Sequence, residues 1–187
     1  MRIHHLTLNC IIATLLAVCV SCQQQASSDN SPQNWRDRLR QELPALGHRN
    51  WIVVADSAYP KQSAPGIETV VTGAQQLDVL KEVLEAIDSA SHIRAVVMLD
   101  QELDNVDEAD APGISEYRQT LQKLLSNNTT KVMLHEEIIS ELDEGSKLFN
   151  VLLLKTNMTI PYTSVFLQLD CGYWDAESEA RLRDALK

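Results

Sequence analysis

The sequence predicts an α/β domain whose mostly parallel central sheet is covered by helices on both faces. Three observations carry that prediction. Short apolar runs such as WIVVA (residues 51–55) and IRAVVML (93–99) show no alternation, as expected of strands buried on both sides. Longer segments between them repeat apolar residues every three or four positions, the helical spacing. The two kinds of segment alternate along the chain, which is the order of strand–helix layering.

Residues 1–21 stand apart from this pattern. MRIHHLTLNC leads into IIATLLAVCV, an apolar run too short to span a bilayer with margin, and this is the form of a signal peptide. It ends in Ser21-Cys22, a small residue before a cysteine, although Cys19 stands where such signals usually carry Leu. The segment reads as a lipoprotein-type signal, with Cys22 as the lipidated first residue of the mature chain. That expectation puts the protein in a bacterial cell envelope, membrane-anchored through lipid and facing the periplasm or exterior. Residues 22–34, polar and without periodicity, are a flexible tether, and residues 35–187 are a single domain.

Within that domain, WRDRLRQELPAL places Trp35, Leu39 and Leu43 on one helical face ahead of the first strand, WIVVA. QQLDVLKEVLEAID carries a helical stripe of Leu77, Leu80, Leu84 and Ile87, and the strand IRAVVML follows. The acid-rich residues 100–113 read as a solvated loop, since their carboxylates lack the spacing of a calcium loop. ISEYRQTLQKLL repeats the stripe through Ile114, Tyr117, Leu121 and Leu124. KVML, the helical EEIISELDEGSKLF, and the strands NVLLLK and SVFLQL come next. DAESEARLRDALK closes the chain as a helix with Asp175 as its N-cap.

Composition narrows the function. A hydrophobic fraction of 44% supports a real core, and a net charge of −10 would repel a phosphate backbone, which argues against a nucleic-acid partner. Of the four cysteines, Cys10 and Cys19 leave with the signal and Cys22 carries lipid. Cys171 then stands alone, which removes a disulfide framework or cysteine metal site, and it reads as a small buried residue near a strand end. There is no nucleophile elbow, phosphate-binding glycine loop or paired-histidine zinc helix. The groups left to carry chemistry are His48 and Asp56, which bracket the first strand, with His135 and Tyr162. Each also has an ordinary reading: a surface imidazole, a solvated loop carboxylate, a residue preceding the helix that opens Glu136-Glu137, a packed turn tyrosine.

Their order in the chain resembles the D-ribose pyranase and L-fucose mutarotase family. Gly47-His48 precedes an apolar strand, Asp56 and Pro60 follow it, His135-Glu136 starts a helix, and Pro161-Tyr162 precedes the last strand. The likeness extends from about residue 39 to residue 169, and GAQQLDVLKEVLEAI and EYRQTLQKLL fall where that family has helices. The resemblance implies a monosaccharide mutarotase or pyranase with no metal or other cofactor. It implies His48 as proton donor, and Asp56, His135, Tyr162 and Ser164 as sugar-binding groups around one pocket. It also implies a ring-shaped homo-oligomer whose pockets are completed by neighbouring subunits.

Three features depart from the family pattern. Asn50 stands where an acidic residue usually follows Gly-His, Ser164 replaces an Asn, and residues 171–187 extend a normally short ending. A hydroxyl at 164 lacks the two-handed amide, which both donates and accepts. Ring opening needs a base at the anomeric hydroxyl and an acid at the ring oxygen, and histidine serves either role near neutrality. The alternative expectation is a non-catalytic sugar-binding or scaffold lipoprotein that retains the fold.

Overall fold

The computed structural model describes residues 34–187. The expected signal segment, Cys22 and all but the last residue of the tether lie outside the described residues. Six strands form one sheet: β1 (Trp51–Ala55), β2 (Ile67–Val71), β3 (Ile93–Asp100), β4 (Thr129–Met133), β5 (Val151–Lys155) and β6 (Val165–Cys171). Their order is β2-β5-β1-β6-β3-β4. β1 through β5 run parallel, while β6 lies antiparallel between β1 and β3. The helices are α1 (Trp35–Glu42), α2 (Gln76–Asp88), α3 (Ile114–Leu124), α4 (His135–Ser146) and α5 (Ala176–Ala185).

The unalternating β1 is explained by what covers it. Ile52 and Val54 enter a core with Trp35 and Leu39 of α1, Leu80 and Leu84 of α2, and Ile114 and Tyr117 of α3. Trp51, Val53 and Ala55 point the other way, into a smaller core with Ile138 and Leu142 of α4. Both faces are therefore covered, but unequally. Where β3 and β6 pair on the α4 face, Arg94 stands directly opposite Asp170 and both are only half-buried. The α5 helix buries no residue at all; Asp175 caps it as expected, accepting a hydrogen bond from Ser178 N at 2.7 Å.

The structure corrects the sequence reading at three places. β2, IETVV, was absent from the expected strands because it is a half-exposed edge whose Glu68 is tied to Arg38 of α1 at 2.5 and 2.6 Å. Residues 100–113 are more than a solvated loop. Asp100 ends β3 and is buried, Gln101–Asn105 form a short 3-10 helix, and two carboxylates from the stretch cap helices. Glu108 accepts from Gly113 N at 2.6 Å and Ser115 N at 2.9 Å, and those bonds hold its carboxyl down to about 2. Cys171, expected to be buried, is half-buried as the last residue of β6.

Candidate functional site

Open parallel sheets place ligands beyond the carboxyl ends of their strands. Here that edge carries Asp56 just after β1, Asp100 at the end of β3 and His135 two residues after β4. Because β6 runs the other way, its beginning lies at the same edge and brings Tyr162 and Ser164 there. Asp56, Tyr59, His135, Pro161 and Tyr162 line one cavity of about 320 Å³. The sequence-expected Asp56, His135, Tyr162 and Ser164 are thus brought together.

Each is held by identifiable contacts. Asp56 Oδ1 accepts from Ala58 N at 2.8 Å and Tyr59 N at 3.1 Å, closing the turn after β1. Its Oδ2 accepts from Ser164 Oγ at 2.8 Å, while Ser164 Oγ accepts from Asp56 N at 3.1 Å. Ser164 is only 1% exposed, so its hydroxyl positions Asp56 and presents nothing to a ligand. That differs from the sugar-contacting role expected of it. The two-way exchange between the facing strand ends consumes the hydroxyl.

Tyr162 sits at φ 57°, a left-handed conformation costly for a residue with a Cβ. The backbone beside it is pinned: Thr163 O accepts from buried Gln76 Nε2 at 2.7 Å and from Tyr117 OH at 2.9 Å. The phenol ring, 40% exposed, meets the His135 imidazole edge-on, with ring centroids 5.7 Å apart. His135 opens α4, and its backbone N–H is capped by the Glu102 carboxylate at 3.0 and 3.2 Å.

Asp100 is the group that sequence reading missed. Its Oδ2 lies 3.1 Å from His135 Nδ1, its side chain is 0% exposed, and Oδ1 has no hydrogen-bond partner among the described residues. Burial pushes its carboxyl up to about 6, against the pull of His135 beside it. The phenol of Tyr59, also buried without a partner, is raised by burial as well. An aspartate at the end of an apolar strand was the available signal for Asp100, obscured by the acidic residues that follow it.

His48 is elsewhere. It precedes the five-residue β1 whereas Asp56 follows it, and at about 3.3 Å per residue the strand separates them by roughly 17 Å. Within one chain, His48 and Asp56 therefore line different cavities. The turn carrying His48 is closed by Asn50 N donating to Gly47 O at 3.0 Å, with Arg49 at φ 76°. Asn50 Oδ1 accepts from Gly47 N at 2.8 Å, so this side chain braces the turn. The carboxylate that meets His48 comes from β6: Asp170 Oδ1 lies 2.9 Å from Nδ1, and Asp170 Oδ2 accepts from Arg94 Nε at 3.0 Å and Nη2 at 2.5 Å. Burial raises the Asp170 carboxyl, but Arg94, the Cys171 N–H and His48 outweigh it and hold it below its ordinary value.

Among the described residues, no three His, Cys, Asp or Glu side chains gather closely enough to hold a metal ion.

A model of the RbsD / FucU transport protein family matches residues 33–171. Among solved structures, Bacillus subtilis RbsD complexed with D-ribose is 22% identical at a TM-score of 0.52, covering 71% of this chain and 91% of that one. Fucose mutarotase from Streptococcus pneumoniae in complex with L-fucose is 23% identical at a TM-score of 0.47, covering 76% and 97%. FucU from Bifidobacterium longum is 16% identical at 0.46, covering 72% and 94%. The first of these likenesses concerns the fold. No curated protein matches the chain.

Proposed function

The chain belongs to the RbsD / FucU transport protein family, and from that premise we propose that it interconverts anomers or ring forms of a monosaccharide by acid/base ring opening. The observation that carries the reading is His135, with buried Asp100 3.1 Å from its Nδ1, in the lining of a cavity shared with Asp56 and Tyr162. A base removes the proton from the anomeric hydroxyl, the bond from the anomeric carbon to the ring oxygen breaks, and an acid protonates that oxygen. Rotation and reclosure by the reverse steps give the other anomer; closure by a different hydroxyl gives the other ring size. An imidazole against a carboxylate raised to about 6 can take up and release a proton near neutrality. Tyr162 offers a phenolic hydroxyl and an apolar face beside it.

His48 enters this scheme from a neighbouring copy. The same chain's His48 lies across the sheet, and the resemblance implies pockets completed by neighbouring subunits. The homo-oligomer is checked by light scattering of the full chain, where a monomer counts against it. We read residues 1–21 as a lipoprotein-type signal and Cys22 as the acylated residue, holding the protein at a bacterial envelope membrane. Metabolic labelling with a fatty acid tests this, with label lost in Cys22→Ser.

The deciding experiment is anomer exchange of D-ribose, L-fucose and D-galactose by saturation-transfer NMR, with the full chain beside His48→Ala. Exchange above the spontaneous rate that disappears in the variant supports the enzyme. Equal exchange with both proteins would falsify the role of His48. A second reading, sugar binding without turnover, is favoured by one observation: both Asp56 oxygens are already engaged by internal donors. It predicts binding without rate enhancement.

A further inference from the structure

The family match ends at residue 171, so α5 is an addition to the matched domain. It is also the one helix among the described residues that buries no side chain. We propose that α5 is a contact between two copies of this chain, the two helices packing antiparallel about a two-fold axis through their leucine faces. The contact lies outside the matched residues. It is therefore separate from the pocket-completing assembly considered above, and it does not depend on the sugar chemistry.

Three observations lead there. First, α5 has ten residues, and isolated helices shorter than ~12–15 residues are marginal in water. Its Asp175 cap and the exposed pairs Glu177–Arg181 at 2.8 Å and Glu179–Arg183 at 2.6 Å add only modest support. Most helical stability comes from a packed face, and this chain supplies none. Second, α5 has such a face. Ser178, Leu182, Ala185 and Leu186 share one side at helical spacing, with Leu182 43% and Leu186 70% exposed. Third, the order of charges selects what covers it. Asp175, Glu177 and Glu179 occupy the first half, while Arg181, Arg183 and Lys187 occupy the second, with Asp184 the exception. In an antiparallel pair the acidic half of each helix lies against the basic half of the other, and the helix dipoles oppose. A parallel pair would set like charges together. A surface complementary to itself in this way is what an isologous two-fold contact requires. An anionic lipid surface suits it less, since residues 175–187 carry four acidic side chains and three basic ones.

The test measures the mass of the full chain by light scattering, beside a Leu182→Ser, Leu186→Ser double variant. Because α5 buries nothing, that variant keeps its fold, which circular dichroism checks. The expected result is a mass about half that of the original protein, as loss of a two-fold contact requires. Two further variants test the pairing itself. Glu177→Lys with Glu179→Lys makes the helix basic, and Arg181→Glu with Arg183→Glu makes it acidic. Each alone should show the halved mass, and an equal mixture of the two should recover the original mass. An unchanged mass in the leucine variant, or no recovery in the mixture, overturns the inference. So does a leucine variant of unchanged mass that binds phosphatidylglycerol vesicles less well, which would assign the face to a lipid surface instead.

Discussion

The two ends of this sheet each carry a histidine against an aspartate, and the two pairs have opposite electrostatics. At one end Asp170 is shared with Arg94, lies partly in solvent and is held below its ordinary value. At the other, Asp100 has a fully buried side chain, meets only an imidazole on one oxygen, and is pushed up to about 6. The same two residue types thus surround a carboxyl held down in one place and a carboxyl pushed up in the other. A guanidinium and access to water make the difference.

The largest expected effect breaks the comparison at its reactive end. His135→Ala should cut anomer exchange by about 10²–10⁴-fold, the usual worth of a positioned acid/base group. A loss smaller than tenfold would place the chemistry elsewhere. If His48 of one copy serves the His135 pocket of the next, mixing inactive His48→Ala with inactive His135→Ala should restore about a quarter of the activity by random assembly. No recovery in mixed and reassembled oligomers would put the two histidines in separate functions.

The next effect separates the carboxylates by pH. Asp100 has a folded pKa near 6, above its unfolded 3.8, so the folded state binds the extra proton between those values. Stability contributed by the protonated form is present below pH 3.8 and lost as pH rises toward 6, by roughly 3 kcal/mol at most. Urea denaturation at pH 4 and pH 7 should show that decline in the original protein and a flatter response in Asp100→Asn. Asp170 has the opposite sign. Its stabilisation is present above its unfolded value and lost only as pH falls below it, so Asp170→Asn should leave the response between pH 4 and 7 unchanged. The overall stability loss in Asp170→Asn should be about 1 kcal/mol or less, because its partners are substantially exposed.

The smallest effect concerns the backbone. Arg49 and Tyr162 both adopt positive φ, one at each end of the sheet. Arg49→Gly should raise stability by about 0.5–1 kcal/mol, relief of the left-handed conformation being partly offset by the flexibility of glycine in the unfolded chain. Tyr162→Gly gains the same relief but loses the ring against His135, and a thermal melt comparing the two measures what that contact is worth.

What could be read from the sequence follows from how far each signal travels. β1 was visible because burial on both faces leaves an uninterrupted apolar run, and β3 because Ala95 to Leu99 is such a run after Arg94. β2 was not, since an edge strand shows only a partial pattern and its Glu68 meets a helix 30 residues earlier in the chain. Asp56, His135 and Tyr162 were found through their neighbours in sequence. Asp100 and Asp170 were not, because their partners lie 35 and 122 positions away. The separation of His48 from Asp56 was implicit in the strand between them, but an apolar run does not announce which edge of the sheet each flanking residue reaches.

The reversed direction of β6 has a consequence for how such a protein can be elaborated. Had the last strand run with the others, the chain would end at the crevice of Asp56 and His135, and any tail would crowd it. Running backwards, it delivers the terminus to the far rim beside His48. Residues appended after Cys171 can therefore remodel one rim as a graft, added, lengthened or exchanged, while the opposite crevice keeps its shape.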